Sequence, residues 1–431
     1  MKTVLIISYH FLDNREIGSR RANGLYKYLQ SSGWKPVIIT RALEDGQACH
    51  MLSDVYPVPH QHPVLKVKKL IGIPDNKGII SECSERYFPI SSASAKHRVQ
   101  KILIKATEFL AFPDLSSSWA DAAIKKAEEV MRTQEIDVII SSFGPSACHI
   151  AGSYLSKRYS IPWVADYRDL WSDNQSYCYS FLRRYFESAY ENKTVSIADH
   201  ITTVSGPLAR QLEQRFNAIP VTCIPNGFDE IIMKKDENLD DRLSIVYTGR
   251  IIPKLQDPEP LFKVISGLLH EGVIGRSEIV LHFYGENDAW LSGLIHKYSV
   301  QDITCLHGRV SHSESLQAQQ KSQVLLLLTW NDPTQEGIVT GKIYEYFASG
   351  RPVLAIGHHP DKEVSRMLTQ TDTGVQIISE EDLREYLIRT YREFKTYGKV
   401  RYTGIDEEIM RYSHREMAKS FAEILDCCIR Q

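Results

Sequence analysis

The sequence predicts an α/β protein built as two doubly wound halves. Three observations carry that prediction. Short apolar runs of strand character alternate with amphipathic helical stretches along the chain. The runs are apolar throughout rather than alternating, as strands of a parallel sheet covered on both faces must be. The series also stops once, at the polar, charge-rich run "IPNGFDEIIMKKDENLDDR" (Ile224–Arg242), and then restarts.

In the first half, "TVLIIS" (Thr3–Ser8) is strand-like. "SRRANGLYKYLQSSGW" (Ser19–Trp34) has helical periodicity and leads into "KPVIIT" (Lys35–Thr40), the next strand. "IDVIISS" (Ile136–Ser142), "PWVADY" (Pro162–Tyr167) and "HITTVS" (His200–Ser205) follow, with helical patterns between them. The second half opens on "LSIVYTGR" (Leu243–Arg250) and continues with "EIVLHFYG" (Glu278–Gly285), "ITCLHG" (Ile303–Gly308), "VLLLLTW" (Val324–Trp330) and "PVLAIG" (Pro352–Gly357). Tyr412–Cys427 reads as a final helix. The expected domains are 1–228 and 229–405, with 406–431 packing back on the first. In such sheets ligands bind beyond the carboxyl ends of the strands, and two halves make a cleft.

Bulk properties exclude several classes. The 431 residues are 43% hydrophobic and 24% charged, with a net charge of −2 and a pI near 6.7. No global field would draw nucleic acid or a membrane. No apolar run reaches the length of a membrane span. The eight cysteines are scattered without a CxxC pair, which fits a reducing cytoplasm and neither a disulfide framework nor a zinc site.

The most informative stretch is "VTGKIYEYFASGRPVLAIG" (Val339–Gly357). Ile343, Tyr346 and Phe347 recur at helical spacing, Thr340 suits the N-cap, and Gly350 and Pro352 suit the stop. The stretch is therefore strand, loop, helix, strand, with the loop emptying into a helix N-terminus that collects anions. Gly341 lets a ligand approach the backbone, and Lys342 adds positive charge. Glu345 lies one turn in, where a carboxylate would repel a phosphate but could accept two hydrogen bonds from a ribose diol.

Four stretches together resemble a known family. "GKIYEYFASGRPVLAI" looks like a donor-binding helix, "TVSGPLARQLEQRF" with "VTCIPNGFD" like the end of an N-terminal domain, "IVYTGRIIPKLQDPEP" like the start of a C-terminal one, and "PWVADYRDLW" like a polysaccharide-assembly motif. Together they resemble the GT-B glycosyltransferases, more narrowly the retaining family-four type. The resemblance implies two Rossmann-like domains, a nucleotide diphosphate sugar as donor, and neither metal nor cofactor. It assigns Glu345 to the donor ribose and Thr340, Gly341 and Lys342 to the diphosphate. Arg250 and Lys254 become the cations that stabilise the leaving group, and Gly18 approaches the donor phosphate. The family's other carboxylate falls to Glu336, which stands nine rather than eight residues before Glu345.

Asp166 and Asp169 in "DYRDLW" follow an apolar strand and are candidates for acceptor binding or catalysis, against the plain alternative of an Arg–Asp pair stiffening a loop. His149 and His10 are candidate cleft residues, against the commoner fate of a core histidine. Lys66–Lys105 carries nine bases and three acids, with Val99, Ile102, Leu103, Ala106 and Phe109 on one helical face. That is either a covering helix with a basic outer side or a peripheral contact with anionic membrane.

The sequence thus predicts a cytoplasmic glycosyltransferase acting on a glycan or lipid-linked acceptor, with a role in cell-surface polysaccharide synthesis. The alternatives are a nucleotide-sugar 2-epimerase of the same fold and an inactive nucleotide-sugar-binding subunit.

Overall fold

The computed structural model describes residues 1–13, 18–43, 52–60, 112–114, 116–174, 180–230, 238–286, 289–332 and 337–430. Glu336 and the basic stretch Lys66–Lys105 lie outside them. The chain divides into two compact units. One comprises Met1–Val204, Leu208–Ile224 and Ala418–Gln431, the other Ser205–Pro207 and Pro225–Met417.

The first unit is a seven-stranded parallel sheet. Its strands are β1 (Lys2–Ser8), β2 (Trp34–Arg41), β3 (Val55–Val58), β4 (Val138–Ser142), β5 (Trp163–Tyr167), β6 (His200–Thr203) and β7 (Val221–Cys223), in the order β3-β2-β1-β4-β5-β6-β7. Ile6 lies between Ile38 and Ile140, all three fully buried, which is why the central runs are apolar on both faces. Helices α1 (Ser19–Tyr28), α2 (Trp119–Met131), α3 (Ala147–Tyr159), α4 (Phe181–Val195) and α5 (Gly206–Arg215) alternate with the strands.

The second unit is a six-stranded parallel sheet of β8 (Leu243–Thr248), β9 (Ile279–Tyr284), β10 (Thr304–Gly308), β11 (Val324–Leu328), β12 (Val353–Ile356) and β13 (Gly374–Ile377), in the order β10-β9-β8-β11-β12-β13. Its helices are α6 (Glu259–His270), α7 (Ala289–Lys297), α8 (His312–Lys321), α9 (Lys342–Ser349), α10 (Lys362–Thr371), α11 (Glu380–Tyr397) and α12 (Asp406–Met410). The last helix, α13 (His414–Cys428), brings Asp426 to the first unit, where it takes Lys2 Nζ at 2.6 Å and Trp34 Nε1 at 3.2 Å.

The doubly wound architecture expected of both halves is present. Strand order reverses between β1 and β4 in one sheet and between β8 and β11 in the other, the two places where a crevice opens at the strand ends. Two local expectations need correcting. The helix expected over Ser19–Trp34 is α-helical only to Tyr28, tightens to a 3-10 turn over Leu29–Ser32 and stops at Gly33 (φ 85°), and Trp34 already belongs to β2. The N-cap of α9 is Gly341 rather than Thr340, whose hydroxyl reaches Lys342 N only at 3.5 Å. Gly350 does end that helix in the left-handed region (φ 66°). No helix among the described residues is long and apolar enough to cross a membrane.

Candidate active site

In the second unit the candidate residues gather at the strand reversal. Strand β8 ends at Thr248 and passes through Gly249 (φ 109°) to Arg250. No side chain fits at Gly249, because the Lys342 side chain from the first turn of α9 lies across it. Lys342 Nζ donates to Tyr247 Oη at 2.7 Å and to the Arg250 carbonyl at 3.3 Å, and sits 4.6 Å from the Tyr247 ring centre. Burial there pulls its pKa down to about 8, against the pull of Glu345. Gly285 likewise presses against the Gly249 backbone. Its neighbour Glu286 pairs with Arg309 and lies 3.6 Å from Arg250 Nε. Arg250 and Lys254 are both exposed, and Lys254 holds a left-handed backbone (φ 70°) that is uncommon for a residue with a side chain. The loop therefore presents two cations to solvent beside a third.

Glu345 is more enclosed than a solvated helix residue, at 7% exposure. Its Oε1 meets His312 Nε2 at 3.0 Å and its Oε2 meets Gln319 Nε2 at 3.0 Å. Both partners come from α8. Gln319 also donates to Thr248 Oγ1 at 3.0 Å, tying α8 and α9 to the end of β8. Tyr247, His312 and Gln319 were not singled out in the sequence. No motif marks them, because their places depend on two helices packing over one strand end.

In the first unit the matching reversal brings Gly18, at the start of α1, beside Gly144, which follows β4. Arg168 from the loop after β5 fills the space between them. It donates from Nε to the Phe143 carbonyl and from Nη2 to the Gly144 carbonyl, both at 2.9 Å, and leaves no room for a side chain at Gly18 or Gly144. The sequence marks Arg168 only as part of "DYRDLW", yet it is the residue of that motif placed at the strand reversal. His10 lies near it, its pKa lowered to about 4 by burial and then by the Arg168 and Arg41 charges.

Two sequence candidates are corrected here. Asp166 is fully buried and accepts from Arg21 Nη2 at 2.8 Å, Thr202 Oγ1 at 2.8 Å and Ser142 Oγ at 3.0 Å. Burial alone would raise its pKa, but Arg21 and the two hydroxyls outweigh burial and lower it. It anchors α1 to β5 and has no surface to offer an acceptor, whereas Asp169 is exposed. His149 is also fully buried, with Nδ1 2.7 Å from Ser141 Oγ, which in turn accepts from Trp163 Nε1. Burial lowers its pKa to about 3, so it is a neutral core histidine. No group of three His, Cys, Asp or Glu side chains able to hold a metal occurs among the described residues.

Residues 90–230 match the family model described as Glycosyltransferase Family 4. No curated protein sequence matches the chain. Solved structures share its fold at low identity. Sucrose-phosphate synthase from Thermosynechococcus elongatus aligns over 100% of both chains at 13% identity and a TM-score of 0.64. A glycosyltransferase from Rickettsia africae aligns over 100% of this chain and 99% of its own, at 13% identity and a TM-score of 0.60. An Anabaena protein solved with UDP and glucose aligns over 100% and 98%, at 12% identity and a TM-score of 0.51. With a family-4 match over residues 90–230 and two parallel-sheet Rossmann-like units, the chain has the GT-B fold and resembles the family-4 glycosyltransferases over that stretch.

Proposed function

We propose that the protein transfers a sugar from a nucleotide diphosphate sugar to an acceptor hydroxyl with retention of configuration. The observation that carries this reading is the second unit's strand reversal. There a carboxylate, Glu345, stands one turn inside a helix whose N-terminus adjoins Arg250, with Lys342 Nζ 3.3 Å from the Arg250 carbonyl. Glu345 would take the ribose hydroxyls, and the amides at Gly341 and Lys342 would take the diphosphate. Arg250, Lys254 and Lys342 would stabilise the charge that grows on the leaving group, electrostatic catalysis that asks for no metal. Gly18 would let the donor phosphate approach the backbone at the start of α1, where Arg168 packs. Glu336 would contact the transferred sugar.

A glycan or lipid-linked acceptor in cell-surface polysaccharide synthesis, met at the cytoplasmic side of a membrane, completes the proposal. A contact between Lys66–Lys105 and anionic lipid belongs to it as well.

Incubation with nucleotide diphosphate sugars tests the reading. A thermal-shift screen identifies the donor, and proton NMR of the product reads the anomer. The expected result is a glycoside of the donor's own configuration, formed equally in EDTA. An epimer from donor alone would identify a 2-epimerase instead. Donor binding without turnover on any acceptor would identify a binding subunit.

A further inference from the structure

The second sheet ends in two edge strands that are built differently. An edge strand usually carries a charge, a proline or a bulge that blocks pairing with another chain. β10 has such a break, a register shift between Leu306 and Gly308. β13, at the opposite edge, has neither charge nor proline, and residues 374–378 read GVQII. Its ladder to β12 uses half of its backbone. The Val353 amide donates to the Thr373 carbonyl at 2.9 Å, and the register continues through Leu354 beside Val375 and Ile356 beside Ile377. A parallel strand turns alternate residues toward its neighbour, so Gly374, Gln376 and Ile378 point their amides and carbonyls away from β12. No described residue bonds them on that side.

This edge is complementary to itself. Consider two copies with antiparallel β13 strands, related by a two-fold axis at Gln376. Gln376 then faces the partner's Gln376, and Gly374 faces the partner's Ile378, each pair exchanging two backbone hydrogen bonds. The exposed Ile378 side chain covers a position that has none, and the exposed Val375 meets the partner's Ile377 on the other face. Charge agrees with this register. α11 follows β13 through its N-cap Ser379 and runs back along the strand, so Asp382 lies toward Ile378 and Arg389 toward Gly374 in the cleft between them. Antiparallel pairing sets Arg389 against the partner's Glu385 and the partner's Asp382. Arg389 and Glu385 are exposed, and neither forms an ion pair among the described residues. On the other face, the Lys362 end of α10 meets the partner's neutral Thr369, while Arg366 is already paired with Glu363 at 2.6 Å. An unrelated extended peptide would gain the backbone bonds without the charge match.

We propose that β13 pairs edge to edge with β13 of a second copy of this chain, antiparallel about Gln376, so that the two six-stranded sheets become one. The edge lies beyond β12 from the strand reversal at β8 and β11, so this pairing and the chemistry at Glu345 can fail separately.

The test is sedimentation equilibrium of the full chain across the micromolar range. So short a pairing should give a reversible monomer–dimer equilibrium. Ile378→Lys puts a charge on the edge and should raise the dissociation constant by about tenfold or more, with the melting temperature of the dilute monomer unchanged. Glu385→Arg and Arg389→Glu each set like charges against each other in a homodimer, and each should raise it by about fivefold or more. Mixing those two variants should restore association, because each then meets opposite charges. A folding defect in either variant cannot produce that recovery. Calorimetry should find nucleotide diphosphate binding unchanged in all three. Three results would each overturn the proposal. They are a dimer indifferent to Ile378→Lys, charge variants that do not recover on mixing, and a chain that stays monomeric throughout, which would leave the edge to a segment of another protein.

Discussion

His312 Nε2 lies 3.0 Å from Glu345 Oε1, while Gln319 Nε2 holds the other oxygen at the same distance, so α8 fixes the carboxylate that α9 presents. The two partners differ in weight. Gln319 is fully buried, whereas the His312 side chain is 57% exposed and its pair is worth only about 0–1 kcal/mol. Glu345→Gln keeps an acceptor for Gln319 and loses the charge that strengthens each ribose hydrogen bond. It should weaken nucleotide diphosphate binding by about tenfold or more with little change in melting temperature. His312→Ala should change the dissociation constant by less than about fivefold. Calorimetry on both variants checks this, and equal effects would remove Glu345 from the ribose.

Arg250 is exposed, and the acid beside it, Glu286, is itself taken by Arg309. Little of the fold rests on it. Charge on a leaving diphosphate grows toward the transition state, so Arg250→Ala should lower kcat by about a hundredfold with a much smaller change in KM. Steady-state kinetics separates the two. A rise in KM alone would make Arg250 a ground-state contact.

Lys342 gives a pH signature. Its ammonium titrates near 8 in the folded protein against an ordinary value of 10.5, so between those values only the unfolded chain keeps the proton. Stability therefore rises with pH across that window, and at pH 7 the fold carries a charge it disfavours. Lys342→Met should be at least as stable as the parent at pH 7, with an advantage that shrinks from pH 8 to 10.5 and a weaker grip on nucleotide diphosphate. Denaturant melts across pH read the first, and calorimetry reads the second. Parent affinity for the diphosphate should also fall as pH passes about 8.

Asp166 predicts a different failure. Removing one partner of a buried ion pair costs about 3–5 kcal/mol. Asp166→Ala should lose that much stability by denaturant unfolding, with activity lost in proportion to folded protein. A well-folded Asp166→Ala variant with no turnover would return Asp166 to catalysis.

The sequence by itself determined the fold class, because a fully buried parallel strand needs an uninterrupted apolar run and a covering helix needs a 3.6-residue period. Both are local patterns. It also marked the start of α9, since a helix N-terminus is written in consecutive residues. Edge strands β3, β7 and β13 were not legible. They are three or four residues long and half-buried, so burial leaves little pattern in them. Tertiary structure alone decided which charges are free to act. "DYRDLW" shows two acids and a base in four residues, and nothing local says that Asp166 will be claimed by Arg21, 145 positions away, while Arg168 reaches the strand reversal. Likewise, only packing reveals that Lys342 rests on Tyr247 and that His312 and Gln319 hold Glu345. Burial and pairing join residues distant in sequence, and a carboxylate or an ammonium has the same letter whether it is solvated, paired or desolvated.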